Sequence, residues 1–287
     1  MADSAYGTFA IGGDMTVDRL GFGAMRLARN GIGDTDTRDP ETARAVLRRA
    51  VELGVNHIDT ADFYRSPDGT VLANDLIREA LSPYPDGLVI ATKVGPIFGP
   101  QGPTQGTASE LRAAVEANLA ALGLDRLDLV YLRIGWRGPP HGESLSERFE
   151  LLAAMRDEGL IRHLALSNVD ETHLAEAHSI APVLAIQNLF DPSNPDEVAL
   201  ARRAAEEGIA FVPFGPLGSG RGSARDQAYA TIAQRHQATT AQVALAHGLA
   251  LLRNTVAIPG TESLAHLEEN VGARSLTLTA DDLAALS

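Results

Sequence analysis

Cysteine is absent from the 287 residues, which excludes a disulfide framework, a zinc-cysteine site, an iron-sulfur cluster and thiol catalysis. No apolar run is long enough to span a bilayer, and the opening MADSAYGTFA lacks the charged, apolar, small-residue order of a signal peptide, so the chain reads as cytosolic. Positive charge is scarce too. Lys and Arg total 24 against 37 Asp and Glu, a net charge of -13 with no basic stripe, which argues against nucleic-acid and anionic-membrane partners. Scarcest is lysine, because every basic residue except Lys93 is an arginine. Arginine replaces lysine on a surface but cannot supply a compact amine whose protonation responds to burial. Lys93 ends the apolar run Leu88-Val89-Ile90-Ala91-Thr92, which reads as a buried strand, not as the exposed face where a leftover lysine sits.

What the chain does have is rhythm. Short apolar runs recur at Leu20 to Ala24, Val55 to Asp59, Leu88 to Lys93, Leu127 to Arg133, Ile161 to Ser167, Val183 to Gln187, Ile209 to Phe214 and Thr255 to Ile258. Between them lie helically spaced segments: Glu41 to Leu53, Ala108 to Leu122, Leu145 to Glu158, Asp196 to Glu207 and Thr240 to Leu251. Gly54, Gly159 and Gly208 punctuate helix ends. Eight units of about 36 residues suit a closed (β/α)8 TIM barrel, an α/β fold expected here as one domain over 1–287. The competing open sheet would carry a Gly-rich dinucleotide turn after its first strand. Gly21-Phe22-Gly23 has Arg26 in place of the third glycine, and Gly218-Ser219-Gly220 follows the seventh strand. A Walker loop, a Gly-x-Ser-x-Gly elbow and a His-Glu-x-x-His zinc helix are all missing, and no metal set is expected. His173 and His178, five apart, read as marks of a solvated helix and its end.

In a closed barrel the loops after the strands form one mouth, and the finishing residues here are Asp59, Lys93, Arg133, Ser167 with Asn168, Gln187 with Asn188, and Phe214. Strands two and three neighbour each other at roughly 5 Å, so Asp59 and Lys93 can pair. Tyr64 lies five residues beyond Asp59, close enough to fold back over the pair. Beside a trapped ammonium its pKa is expected to fall, making it a proton donor near neutral pH. A salt bridge that merely closes the barrel end explains each residue singly; the three together favour a site.

These residues resemble those of the aldo-keto reductases over nearly the whole chain. The marks are Gly21-Phe22-Gly23-Ala24-Met25, Asn56 to Tyr64, Ala91-Thr92-Lys93, Leu122 to Leu129, Leu166-Ser167-Asn168 and Ile258-Pro259-Gly260-Thr261. The resemblance implies a barrel that transfers hydride between a nicotinamide cofactor and a small carbonyl substrate, with Tyr64 as proton donor, Lys93 lowering its pKa and Asp59 holding Lys93. Arg133 stands where the family usually has histidine; it cannot donate a proton at ordinary pH but can orient and polarise a carbonyl. With that arginine and Ile77-Arg78-Glu79-Ala80-Leu81, the chain is most similar to the bacterial pyridoxal reductase branch, which implies pyridoxal reduction with NADPH. His57, two residues before Asp59, is assigned to a deeper, structural layer of the barrel.

Carried over residue by residue, the resemblance places the carboxamide on Ser167, Asn168 and Gln187, and the nicotinamide ring on Phe214. The pyrophosphate would lie along Gly215, Leu217, Gly218 and Arg221. Gly23 and Met25 join the cofactor set, and Gly260, Thr261, Ser263 and His266 would take phosphate at a helix start. Glu269 and Asn270 match adenine contacts. Gly260 and His266 replace the lysine and arginine of many relatives, and Glu262 adds repulsion to a 2′-phosphate, so NADH is the alternative coenzyme. Met25, Phe63, Tyr64 and Trp136 are the substrate-pocket candidates, with Phe22, the Gly/Pro-rich loop Val94 to Gly106 and the stretch Ile134 to His141 beside them. A monomer or small homo-oligomer is expected. Two other classes stay open: a Schiff-base lyase through Lys93, which needs a neutral amine that a paired Asp59 opposes, and a non-catalytic nicotinamide sensor, which would bind cofactor without turnover.

Overall fold

The computed structural model describes residues 5–28, 38–99, 102–135, 142–190, 194–214 and 224–286. In chain order the strands are β1 (Thr8–Ile11), β2 (Met15–Asp18), β3 (Phe22–Gly23), β4 (His57–Asp59), β5 (Val89–Val94), β6 (Pro96–Gly99), β7 (Gly102–Gln105), β8 (Leu127–Arg133), β9 (Ile161–Ser167), β10 (Ala185–Gln187) and β11 (Ala210–Phe211). Seven of them form a parallel sheet in the order β11-β10-β9-β8-β5-β4-β3. The eighth expected run closes it. Thr255 bridges Phe211 and Ala257 bridges Leu20, both in parallel, with Val256 N–H donating to Phe211 O at 2.9 Å and Gly21 N–H to Ala257 O at 2.8 Å. Each bridge is isolated, so this stave is too sparsely bonded to count as a strand, yet it makes the sheet a (β/α)8 barrel.

The twofold alternation of a strand sorts the side chains between two cores. Residues such as Ile58, Ile90, Val130 and Leu166 face outward and pack against the helices. Their neighbours Val89, Ala91, Leu129, Tyr131, Ala165, Ala185 and Val256 face inward and fill the barrel. The helices Ala108–Leu122 and Thr240–Leu251 have the expected limits, and Pro40–Glu52, Ser146–Asp157 and Pro195–Glu206 begin and end within one residue of theirs. Pro40 at the first turn and the Asp39 cap, which accepts from the Glu41 and Thr42 amides, start the first long helix. Gly54, Gly159 and Gly208 take the left-handed conformation expected of helix stops.

Two hairpins were not foreseen. The β1–β2 hairpin lies across the N-terminal end of the barrel and inserts Ile11, Met15 and Val17 into the interior core. Asp14 at its turn binds Arg162 Nε at 3.0 Å and His163 Nε2 at 2.7 Å. The Val94 to Gly106 segment, read as a loop, contains the antiparallel β6–β7 hairpin, paired from Pro96 with Gln105 to Gly99 with Gly102; its prolines and glycines hid a strand pair with only two apolar residues, Ile97 and Phe98. The histidine reading also needs correction. His173 is 2% exposed, and its ring accepts no solvent role but meets Asp170 Oδ1 at 2.7 Å and Glu143 O at 3.1 Å, bracing the start of helix Glu171–His178.

Candidate active site

The parallel register of β4 and β5 aligns Asp59 with Ala91, which sets Lys93 one interior layer above Asp59 on the adjacent strand. Its long side chain folds back, and Nζ donates to Asp59 Oδ1 at 2.6 Å and to Thr60 O at 2.9 Å. Lys93 is 1% and Asp59 2% exposed, so the ammonium sits where only a hydrogen-bonded carboxylate makes a charge tolerable. Gln187 Nε2 donates to Asp59 Oδ2 at 2.7 Å and fixes the carboxylate from the far side of the barrel. Tyr64 arrives from the loop after β4, where its N–H closes a turn on Ala61 O at 3.1 Å. Lys93 Nζ lies 4.9 Å from the Tyr64 ring centroid. Asp59, Lys93 and Tyr64 thus converge as the sequence implies.

The tyrosine's acidity departs from expectation. Burial dominates and raises its pKa above 10; Lys93 lowers it, Asp59 raises it, and Arg133 lowers it. The hydroxyl therefore stays protonated, as a donor must, and the cations oppose the penalty without overcoming it. Arg133, at the end of β8, donates from Nη1 to Ser167 Oγ at 2.9 Å, while its guanidinium carbon stands 5.1 Å from the Phe214 ring centroid. Burial holds the Arg133 pKa below its ordinary value. Phe63 packs edge-on to Tyr64 at 5.3 Å and against the half-exposed Phe98 of β6 at 5.8 Å.

The amide nitrogen of Asn168 donates to Ile134 O at 2.7 Å and that of Gln187 to Asp59. Each residue then offers its carbonyl oxygen as an acceptor, which suits the N–H groups of a carboxamide. Asn168 has φ 57, a left-handed conformation that asparagine tolerates better than most residues. Gly23 and Gly260 have a packing reason of their own. A Cβ on Gly23 would stand 2.6 Å from Ile258 O and one on Gly260 2.5 Å from Gly23 O, so both glycines let the first and eighth staves approach. Met25 opens a short helix at the mouth and is partly exposed. Thr261 is buried, and its Oγ1 accepts from Ser263 N–H at 3.0 Å. Ser263 caps helix Leu264–Gly272, on which His266 is exposed, Glu269 partly buried and Asn270 buried. Gly215, Leu217, Gly218, Arg221 and Trp136 lie outside the described residues.

Three supporting features were not visible in the sequence. Thr60 and Thr92, next to Asp59 and Lys93, turn outward into a buried network in which Thr60 Oγ1 donates to Asn74 Oδ1 at 2.8 Å, Asn74 Nδ2 to Asn118 Oδ1 at 2.8 Å and Thr92 Oγ1 to Asn118 Oδ1 at 2.6 Å. It pins the ends of β4 and β5 to helices Ala73–Leu81 and Ala108–Leu122. Tyr131 pairs in register with Lys93 and puts its fully buried ring 5.9 Å from Nζ, walling off the inner side; its place on the inward face of β8 was the available signal. Asp62, in the turn before Tyr64, has Oδ1 sealed from solvent with no hydrogen-bond partner among the described residues, and burial pushes its pKa up to about 7 against the pull of Arg65. His57 lies where expected, fully buried below Asp59, and burial lowers its pKa to about 4.

Comparisons with known proteins show the family. Residues 19–287 match the profile of the aldo/keto reductase family. The chain is 43% identical over 292 residues to pyridoxine 4-dehydrogenase of Escherichia coli, covering 97% of this chain and 96% of that one. It is 38% identical to an uncharacterised oxidoreductase of Schizosaccharomyces pombe, covering 99% and 90%. Among solved structures, an aldo/keto reductase of Klebsiella pneumoniae in complex with NADP and acetate superposes with a TM-score of 0.79 at 25% identity, over 97% and 93% of the two chains. A thermostable aldo-keto reductase in complex with the inhibitor epalrestat gives 0.77 at 28% identity, over 95% of each. The chain is an oxidoreductase and belongs to the aldo/keto reductase family.

Proposed function

We propose that this single barrel domain over 1–287 reduces an aldehyde to the alcohol with NADPH, and that pyridoxal, yielding pyridoxine, is its substrate. The observation that carries the chemistry is the sealed Lys93–Asp59 pair, 2.6 Å apart, beneath the Tyr64 ring. That the Escherichia coli relative is a pyridoxine 4-dehydrogenase supports the substrate, and the NADP complex of the Klebsiella pneumoniae neighbour supports the coenzyme.

A bound reduced nicotinamide supplies the hydride. The protein's own residues do the rest. Tyr64 Oη donates its proton to the carbonyl oxygen as negative charge develops there, and the ammonium of Lys93 stabilises the phenolate left behind. Asp59 and Thr60 O hold that ammonium charged, which suits an electrostatic role and opposes the neutral amine a lyase requires. Arg133, anchored on Ser167, directs its guanidinium at the mouth and polarises the carbonyl without giving up a proton. Ser167, Asn168 and Gln187 would orient the carboxamide and Phe214 would stack on the ring. Phe63 and Met25 would lie on the substrate side of this reading, and Trp136 stays a candidate from the resemblance alone. A cytoplasmic location fits the reaction, and among the described residues no helix is long and apolar enough to cross a membrane.

The test is the loss of reduced-coenzyme absorbance with purified protein and pyridoxal, run with NADPH and NADH and beside simple aromatic aldehydes. Turnover fastest with pyridoxal supports the assignment. Turnover with other aldehydes alone discards the substrate and keeps the chemistry, and tight coenzyme binding with no turnover of any aldehyde replaces the enzyme with a sensor.

A further inference from the structure

The stretch 260–270, which the family resemblance gives to the adenosine end of the coenzyme, contains no lysine or arginine. Glu262 stands within it, and taken alone its carboxylate would repel a 2′-phosphate. The fold changes that balance. Arg38, two residues before helix Pro40–Glu52, places Nε 2.7 Å from Glu262 Oε2. The pair borders a cavity of about 220 Å³ that is also lined by Leu27, Asp39, Thr42 and Ala43. Asp39 is committed to capping the helix through the Glu41 and Thr42 amides, at 3.3 and 3.0 Å. A second ion pair, Arg49 to Glu268 at 2.8 Å, ties the same helix to Leu264–Gly272. Two bridges therefore hold these elements side by side and keep Arg38 against Glu262.

We propose that Arg38 and Glu262 act as one selector that reads the 2′ position of the coenzyme ribose; the inference rests on the coenzyme reading above. A carboxylate at such a position accepts from a ribose hydroxyl, whereas a guanidinium takes a phosphate. Here the two are combined. A 2′-hydroxyl can donate to Glu262 with the pair intact, because a carboxylate has lone pairs to spare. A 2′-phosphate must draw Arg38 away and leave Glu262 facing a dianion, so the gain of one charge-assisted contact is offset by the loss of another. The unaltered chain should therefore bind NADPH and NADH within about tenfold of each other, and each half of the pair should tip the ratio its own way.

The experiment measures dissociation constants of NADPH and NADH by calorimetry for the unaltered protein and for Glu262→Gln, Arg38→Gln and Arg38→Lys, with melting temperatures to verify folding. Glu262→Gln is expected to tighten NADPH by about tenfold and to weaken NADH slightly; Arg38→Gln should weaken NADPH by about tenfold and spare NADH, and Arg38→Lys should restore most of that loss. Parallel shifts of both coenzymes, or ratios that none of the variants moves, overturn the selector while leaving the reductase reading standing. An unaltered chain that binds neither coenzyme overturns both.

Discussion

At the scale of single residues, the site is a problem of holding charges in a dry place. Lys93, Asp59, Thr60 and Gln187 solve it with three short hydrogen bonds, and in the proposed reduction the proton comes from the hydroxyl of Tyr64. Replacing Tyr64 with Phe should lower kcat by about 10³-fold while leaving the coenzyme dissociation constant within twofold. Lys93→Arg should be almost as damaging in the same assay, since a planar fork cannot occupy the position of Nζ between Asp59 Oδ1 and Thr60 O. Asp62 is a different case, because its buried carboxyl is raised to about 7. The folded state prefers the neutral acid while the unfolded chain ionises near 4, so its contribution to stability falls as pH rises from about 4 to 7. Asp62→Asn should raise the melting temperature by roughly 4 °C at pH 8, after discounting for partial exposure, and the difference should shrink to about 1 °C at pH 4.5. A calorimetric scan at the two pH values decides it.

Elements set where those residues stand, and here the β5 end is the critical piece. Gly95, immediately after the strand, has φ 135, and a Cβ there would meet Arg133 O at 2.3 Å. Gly95→Ala should therefore cost about 3 kcal/mol in urea unfolding and push the end of β8, with Arg133, out of place. Such close approaches are invisible in a linear chain. The parallel staves were legible because their inward and outward faces are both buried and make continuous apolar runs, and Asp59 and Lys93 were legible because polar residues end those runs, with Tyr64 a short loop beyond the first of them. The Val94 to Gly106 hairpin was not, since Pro and Gly mask its pairing. Nor was the Thr60–Asn74–Asn118–Thr92 network, whose members lie up to 58 positions apart and acquire meaning only when two helices dock. The direction of the Tyr64 shift was missed for the same reason: the neighbouring charges could be named from sequence, but the extent of its burial is a property of packing.

On the scale of the whole molecule, one end of the barrel carries the candidate site. The β1–β2 hairpin closes the other with Ile11, Met15 and Val17, and Asp14 fastens it to β9. Ile11 is fully buried and remote from the mouth, so Ile11→Ala should remove about 3 kcal/mol of unfolding free energy yet leave kcat and KM unchanged at 25 °C. Denaturant titration beside steady-state assays separates the two effects. The composition adds a practical consequence. Because the lone lysine is also the most protected cation of the site, an amine-acylating reagent has one side-chain target in the entire chain, and it can be reached only when the fold lets go. The rate at which such a reagent adds a single mass increment at Lys93, and the slowing of that rate when the mouth is filled, would turn a quirk of arginine-rich composition into a clock for the breathing of the barrel.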